Sequence, residues 1–150
     1  MREILFRGKR IDNGEWIEGY YVKYGYTGKE KDYIIPKYAS DLYAVEVIPK
    51  TIGQYTGLTD KNCKKIFEGD IVKDVTVPVQ CGIGIVKFGK YETRINFSLS
   101  HDNYAYHIGV YIKWNKTLNF YRNDLAFWNE RIEVIGNIHD NPELLNTEGE

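Results

Sequence analysis

Apolar and polar residues alternate with a period of two along much of this chain, the spacing of a strand that turns one face to a core. The clearest case is Thr93, Ile95, Phe97 and Leu99 against Glu92, Arg94, Asn96 and Ser98. The same alternation puts Tyr106, Ile108, Val110 and Ile112 on one side of a second strand, with Ala105, His107, Gly109 and Tyr111 on the other. Further strands are expected over residues 3–7, 15–22, 32–36, 43–48, 70–77, 82–88 and 131–138. Most are bounded by Gly, Pro, Asn or Asp, which supply the dihedrals or side-chain bonds that turns need. Helical periodicity is almost absent. One helix start stands out at Asn141-Pro142-Glu143, where Asn can cap, Pro suits the first turn and Glu favours the positive helix end. Asp124 is expected to open a brief helical turn through Phe127.

Short strands about ten residues apart, with turn signals between them, predict a mainly all-β fold. The expected forms are a small barrel or packed antiparallel sheets, with a short C-terminal helix and a frayed tail over 147–150. The chain reads as one domain over 1–150. A seam at Tyr55-Thr56-Gly57-Leu58 separates a possible N-terminal sheet, 1–56, from a C-terminal SH3-like barrel, 57–146. Gly57, Asp60, Asn62 and Gly69 crowd turn formers just past that seam and predict a hairpin there.

Composition narrows the class of protein. A chain of 150 residues with 43% hydrophobic and 27% charged residues is of ordinary globular make-up and needs no disulfide or metal to hold a core. Thirteen Tyr, three Trp and six Phe point to half-buried sheet surfaces, where a flat ring with one polar end fits. A net charge of −1 gives no general attraction to a polyanion. Cys63 and Cys81 do not make a disulfide framework, and no cationic and apolar leader opens the sequence, so a cytoplasmic protein is expected. No apolar run nears the roughly 20 residues of a spanning helix, so no membrane partner is expected.

Residues 51–72, TIGQYTGLTDKNCKKIFEGDIV, resemble the central signature of the YopX family, V-G-Q-Y-T-G-L-x-D-K-N-G-x-x-I-[YF]-E-G-D-I-V. The opening REILFRGKRIDNGEWIEGYY and the ending VIGNIHDNPELL agree with the family's two ends, while 23–44 and 74–128 are less diagnostic. The resemblance implies an all-β protein of phages and prophages of Gram-positive bacteria, with no assigned catalytic activity. One departure is informative. Cys63 stands where the family has Gly, at a point where tight hairpins demand positive φ. Either Cys63 bears that geometry or Asn62 takes it over.

No catalytic, cofactor or metal motif emerges. Glu68, Asp70 and Asp74 form the most suggestive acidic cluster, but along a strand Asp70 and Asp74 would stand about 13 Å apart, beyond the roughly 5–10 Å of hydrolytic carboxylate pairs. A turn role for Gly69 and Asp70, delivering Ile71 and Val72 into a strand, explains them better. His101, His107 and His139 lack metal-ligand spacing. Gly82-Ile83-Gly84 lacks a third glycine, and sheet bending or a bulge is the expected use of the pair. Arg7, Lys9 and Arg10 interleave with Trp16, Tyr20 and Tyr21 and form the expected interaction surface. The leading functional expectation is a noncatalytic module that binds a protein, its own copies included. A nucleic-acid-binding accessory role ranks second and an enzyme assembled across the fold ranks last.

Overall fold

The computed structural model describes residues 1–38, 43–76, 82–94, 104–115 and 122–146. Two units divide the chain, Met1–Gly57 and Leu58–Glu150. The mainly all-β expectation holds. The strands form antiparallel sheets, and no closed barrel is formed among the described residues.

The first unit contains β1 (Phe6–Lys9), β2 (Trp16–Tyr24), β3 (Lys31–Pro36), β4 (Val45–Glu46) and most of β5 (Gly53–Thr59), ordered β4-β3-β2-β1-β5. Apolar side chains on the inner face of these strands decide the pairing. Ile17, Ile34, Val45 and Val47 form the core, with Phe6 and Ile52 against it. Residues 3–5 were expected in the first strand, but pairing begins at Phe6, which faces Gly19 in β2 and Gln54 in β5. The strand expected over 43–48 shrinks to Val45–Glu46 and an isolated bridge at Val47.

The second unit opens with the end of β5 and β6 (Lys65–Phe67), joined by a hairpin, and continues through β7 (Asp70–Asp74), β8 (Ile83–Arg94), β9 (Tyr104–Trp114) and β10 (Ile132–Asn137). The last four form a sheet in the order β10-β7-β8-β9. Its core comprises Ile66, Val72, Val86, Ile112, Leu125, Trp128, Ile132 and Val134. Trp128 closes one side, its ring centre 5.1 Å from that of Trp114 in a T-shaped contact and its indole N–H donated to the Arg122 carbonyl at 2.8 Å.

Several boundaries differ from expectation for identifiable reasons. The strands expected over 82–88 and from residue 92 onward are one, because Gly89 lies opposite Gly109 and takes φ 155, letting β8 run through to Arg94. Ile95, Phe97 and Leu99 lie outside the described residues, as do Val77, Cys81, His101 and the tail 147–150. The helical turn expected from Asp124 is α1 (Leu125–Trp128), although Asp124 makes no side-chain cap and pairs with Arg122 instead. The expected C-terminal helix is a single 3-10 turn, Pro142–Leu145; Asn141 sits at φ −132, ψ 47 and makes no cap. No described helix is long and apolar enough to cross a membrane.

Candidate functional site

Three places compete for a functional role, and hydrogen bonding separates them. The first is the family-like segment. Residues Asp60 to Lys64 form a three-residue hairpin loop: the Asp60 N–H donates to the Lys64 carbonyl at 2.9 Å, and the Cys63 N–H to the Asp60 carbonyl at 2.9 Å. That is a type I turn followed by a left-handed residue. Cys63 fills the left-handed position at φ 62, the single positive φ of a non-glycine among the described residues, so Asn62 does not take it over. Left-handed geometry costs a residue with a Cβ about 1–2 kcal/mol, and the extra chain entropy of Gly returns about 0.5–1 kcal/mol of that. Cys63→Gly should therefore stabilise by about 0.5–1 kcal/mol and raise Tm by a few degrees; an unchanged or lower melting temperature would count against strain at Cys63.

Asp60 holds this loop from inside. It is 4% exposed; Oδ1 accepts the backbone N–H of Asn62 at 2.8 Å and of Lys64 at 3.0 Å, and Oδ2 accepts that of Val134 in β10 at 2.9 Å. The acidic cluster behaves similarly. Asp70 and Asp74 are both buried on the face of β7 that carries Val72. Asp70 accepts the Phe67 N–H at 2.8 Å across a turn in which Gly69 takes φ 83. Asp74 accepts the N–H and hydroxyl of Thr76 at 2.8 and 2.6 Å. These carboxylates serve as backbone acceptors that fasten turns, and Gly69 and Asp70 do form the turn that leads into Ile71 and Val72. Among the described residues no group of three or more His, Cys, Asp or Glu is placed to hold a metal.

The second place is the cationic and aromatic surface of the first unit. Register puts Arg7 opposite Glu18 and Lys9 opposite Trp16, so these residues share the face of β1 and β2 away from the core, with Tyr20 farther along. The Arg7 guanidinium lies 4.9 Å and the Lys9 ammonium 5.5 Å from the Trp16 ring centre, so the ring is already engaged by its own cations. Arg10 sits past the strand and donates to both Asp12 oxygens, at 2.9 and 2.6 Å; these bonds hold the Asp12 carboxyl below the usual carboxylate range. Tyr21 lies on the opposite face from Tyr20 and gives its hydroxyl to Asp32 at 2.6 Å, a bond that raises its pKa, with burial adding to the effect. Thus Arg7, Lys9, Trp16 and Tyr20 are brought onto one face, while Arg10 and Tyr21 are directed elsewhere.

The third place carries no sequence motif. β7 pairs with β8 only over Ile83 to Ile85, whereas β8 pairs with β9 over its whole length, from Gly84↔Trp114 to Arg94↔Tyr104. Beyond Val86, whose carbonyl still accepts the Gly69 N–H at 2.9 Å, the two strands continue among the described residues as a two-stranded ribbon. One face begins at the buried pair Val86 and Ile112 and runs outward through Phe88, Val110, Lys90, Ile108, Tyr106 and Tyr104. Past the core this face is open: Phe88 is 63%, Tyr106 61% and Ile108 80% exposed. The Lys90 ammonium rests 4.5 Å from the Tyr106 ring centre. The opposite face satisfies itself, since Tyr91 stacks between His107 at 5.1 Å and Tyr111 at 5.3 Å. Burial, with the Asp124 charge adding, raises the Tyr91 hydroxyl above its ordinary pKa. The alternation over 106–112 marked which residues share a side; it held no sign that the core stops beneath Ile112.

Known proteins add the following. No curated protein matches the chain. Among solved structures it is similar to the protein EF1440 from Enterococcus faecalis, at 21% identity over 97% of this chain and 99% of that one, with a TM-score of 0.46. A model of the YopX protein family matches residues 5–146, nearly the whole length, and the chain belongs to that family.

Proposed function

We propose that this chain is a noncatalytic protein-interaction module whose working surface is the open face of the β8–β9 ribbon. The observation that carries this reading is the run of Phe88, Tyr106 and Ile108, large apolar side chains all more than half exposed on one continuous face. Aromatic and aliphatic residues grouped in this way gain by burial against another protein. Asp60 of the family-like segment supports the same view, because both its oxygens are spent on backbone N–H groups. Nucleic acid is the weaker candidate: Trp16, the ring best placed to stack a base, is covered by Arg7 and Lys9. A phage or prophage setting, as the family resemblance implies, suits a small accessory binder.

The test is recovery of a stoichiometric protein partner, a differently tagged copy included, by the native chain and by a Phe88→Ser/Ile108→Ser double variant. Both positions are exposed, so the variant should keep its melting temperature within a few degrees. The reading expects the partner with the native chain and its loss with the variant. Equal recovery by both, or no partner at all, would overturn it.

A further inference from the structure

Building on the interaction reading, we propose that the outer edge of β9 pairs with β9 of a second copy, antiparallel and about a two-fold axis at His107. Backbone direction comes first. The Ile112 N–H points away from β8, to the Asn123 carbonyl at 2.8 Å, and the Asn115 N–H points toward it, to Ile83 at 2.8 Å. The register between β8 and β9 runs without a shift, so the N–H and C=O groups of Ile108, Tyr106 and Tyr104 also point outward. β9 ends the sheet; Asp124 bridges its outer edge at Tyr111, and among the described residues no strand pairs with that edge from Tyr104 to Val110.

Self-complementarity comes second. An isologous pair needs a strand that matches its own reverse. About His107, Tyr106 meets Ile108, Ala105 meets Gly109 and Tyr104 meets Val110. Aromatic residues thus face β-branched ones, a favourable cross-strand pairing, and the two small residues face each other. The outward-pointing groups of Tyr106 and Ile108 also fall opposite one another, where they exchange hydrogen bonds. Residues 104 to 112 carry no Lys, Arg, Asp, Glu or Pro, the residues by which edge strands that stay single avoid partners.

Size comes third. A strand edge of seven residues with these side chains covers on the order of 500 Å² per copy, below the roughly 800 Å² per partner of a standard stable interface. The pairing should therefore be reversible, with a micromolar Kd.

Sedimentation equilibrium of the native chain between about 1 and 300 µM, a range spanning that of weak interfaces, tests the proposal alongside Ile108→Lys and Ile108→Pro. The native mass should rise from 17.5 kDa toward twice that value. Ile108 is 80% exposed and its N–H points outward, so neither substitution disturbs the fold; unchanged unfolding curves would confirm this. Each should weaken the dimer at least about tenfold, Lys by placing a charge against Tyr106 and Pro by removing an N–H donor. A native chain that stays monomeric, or a dimer untouched by both variants, overturns the pairing. Recovery of a different protein, lost in Ile108→Lys without self-association, overturns the pairing while sparing the interaction reading; absence of both removes both.

Discussion

Asp60→Ala should be among the most damaging single substitutions in the second unit, costing about 3–5 kcal/mol, because it orphans three backbone donors together. The N–H groups of Asn62, Lys64 and Val134 all end on this one carboxylate, and Val134 belongs to a buried stretch of β10. A bond to an ionised acceptor contributes about 1.5–3 kcal/mol, and a buried donor left without one costs about 1–3 kcal/mol. Against the 5–15 kcal/mol of a typical domain, the loss is a large fraction, and Tm should fall by about 10 °C or more. Asp60→Asn should cost less. Its remaining oxygen can still serve Asn62 and Lys64, but its amide group presents a donor to the Val134 N–H. Thermal unfolding ranks the three proteins. Equal stability of Asp60→Ala and the native chain would refute the role given to this residue.

In the first unit, Gly19→Ala should cost about 3 kcal/mol or more through overpacking. Gly19 lies within β2, opposite Phe6 on one side and Pro36 on the other. A Cβ there would press into the backbone carbonyl of Ile35, whose carbon would be 2.6 Å away, and stand 2.9 Å from Ile34 Cγ2. A flexible side chain would yield, but a backbone group in a paired strand does not, so β2 and β3 would have to separate. Gly109→Ala is the control. Its Cβ would meet only the Tyr91 ring, at an ordinary 3.8 Å, and the change should be nearly neutral. Chemical denaturation of the two variants should show a clear loss of midpoint for Gly19→Ala and little change for Gly109→Ala.

Much of the fold was legible in the chain, because alternation and turn residues are local signals. The strand through Tyr106 and Ile112 and the brief helix after Asp124 could each be read from neighbouring residues, whereas the left-handed position was narrowed only to Cys63 or Asn62 and the fold places it at Cys63. What escaped depends on residues far apart in sequence. β5 was hidden because Gly57 reads as a turn former, whereas its pairing with β1 comes from nearly fifty residues away. Gly84 was read as a bend, yet a Cβ there would lie 2.5 Å from Ile112 Cγ2, so close packing against β9 is what requires it. The role of Asp60 rests on a bond to Val134, 74 residues later. The ribbon face was half legible: its residues were assigned to one side, and its exposure follows from where β7 stops pairing.

Amide hydrogen exchange on the native chain tests most directly the division between a family-like segment that holds the fold and a ribbon edge that meets a partner. In dilute solution the Lys64 and Val134 amides should be among the slowest and those of Tyr106 and Ile108 fast, with the latter pair slowing as concentration rises. Fast exchange at Val134, or Tyr106 and Ile108 amides already as slow as Val134 in dilute solution, would contradict it.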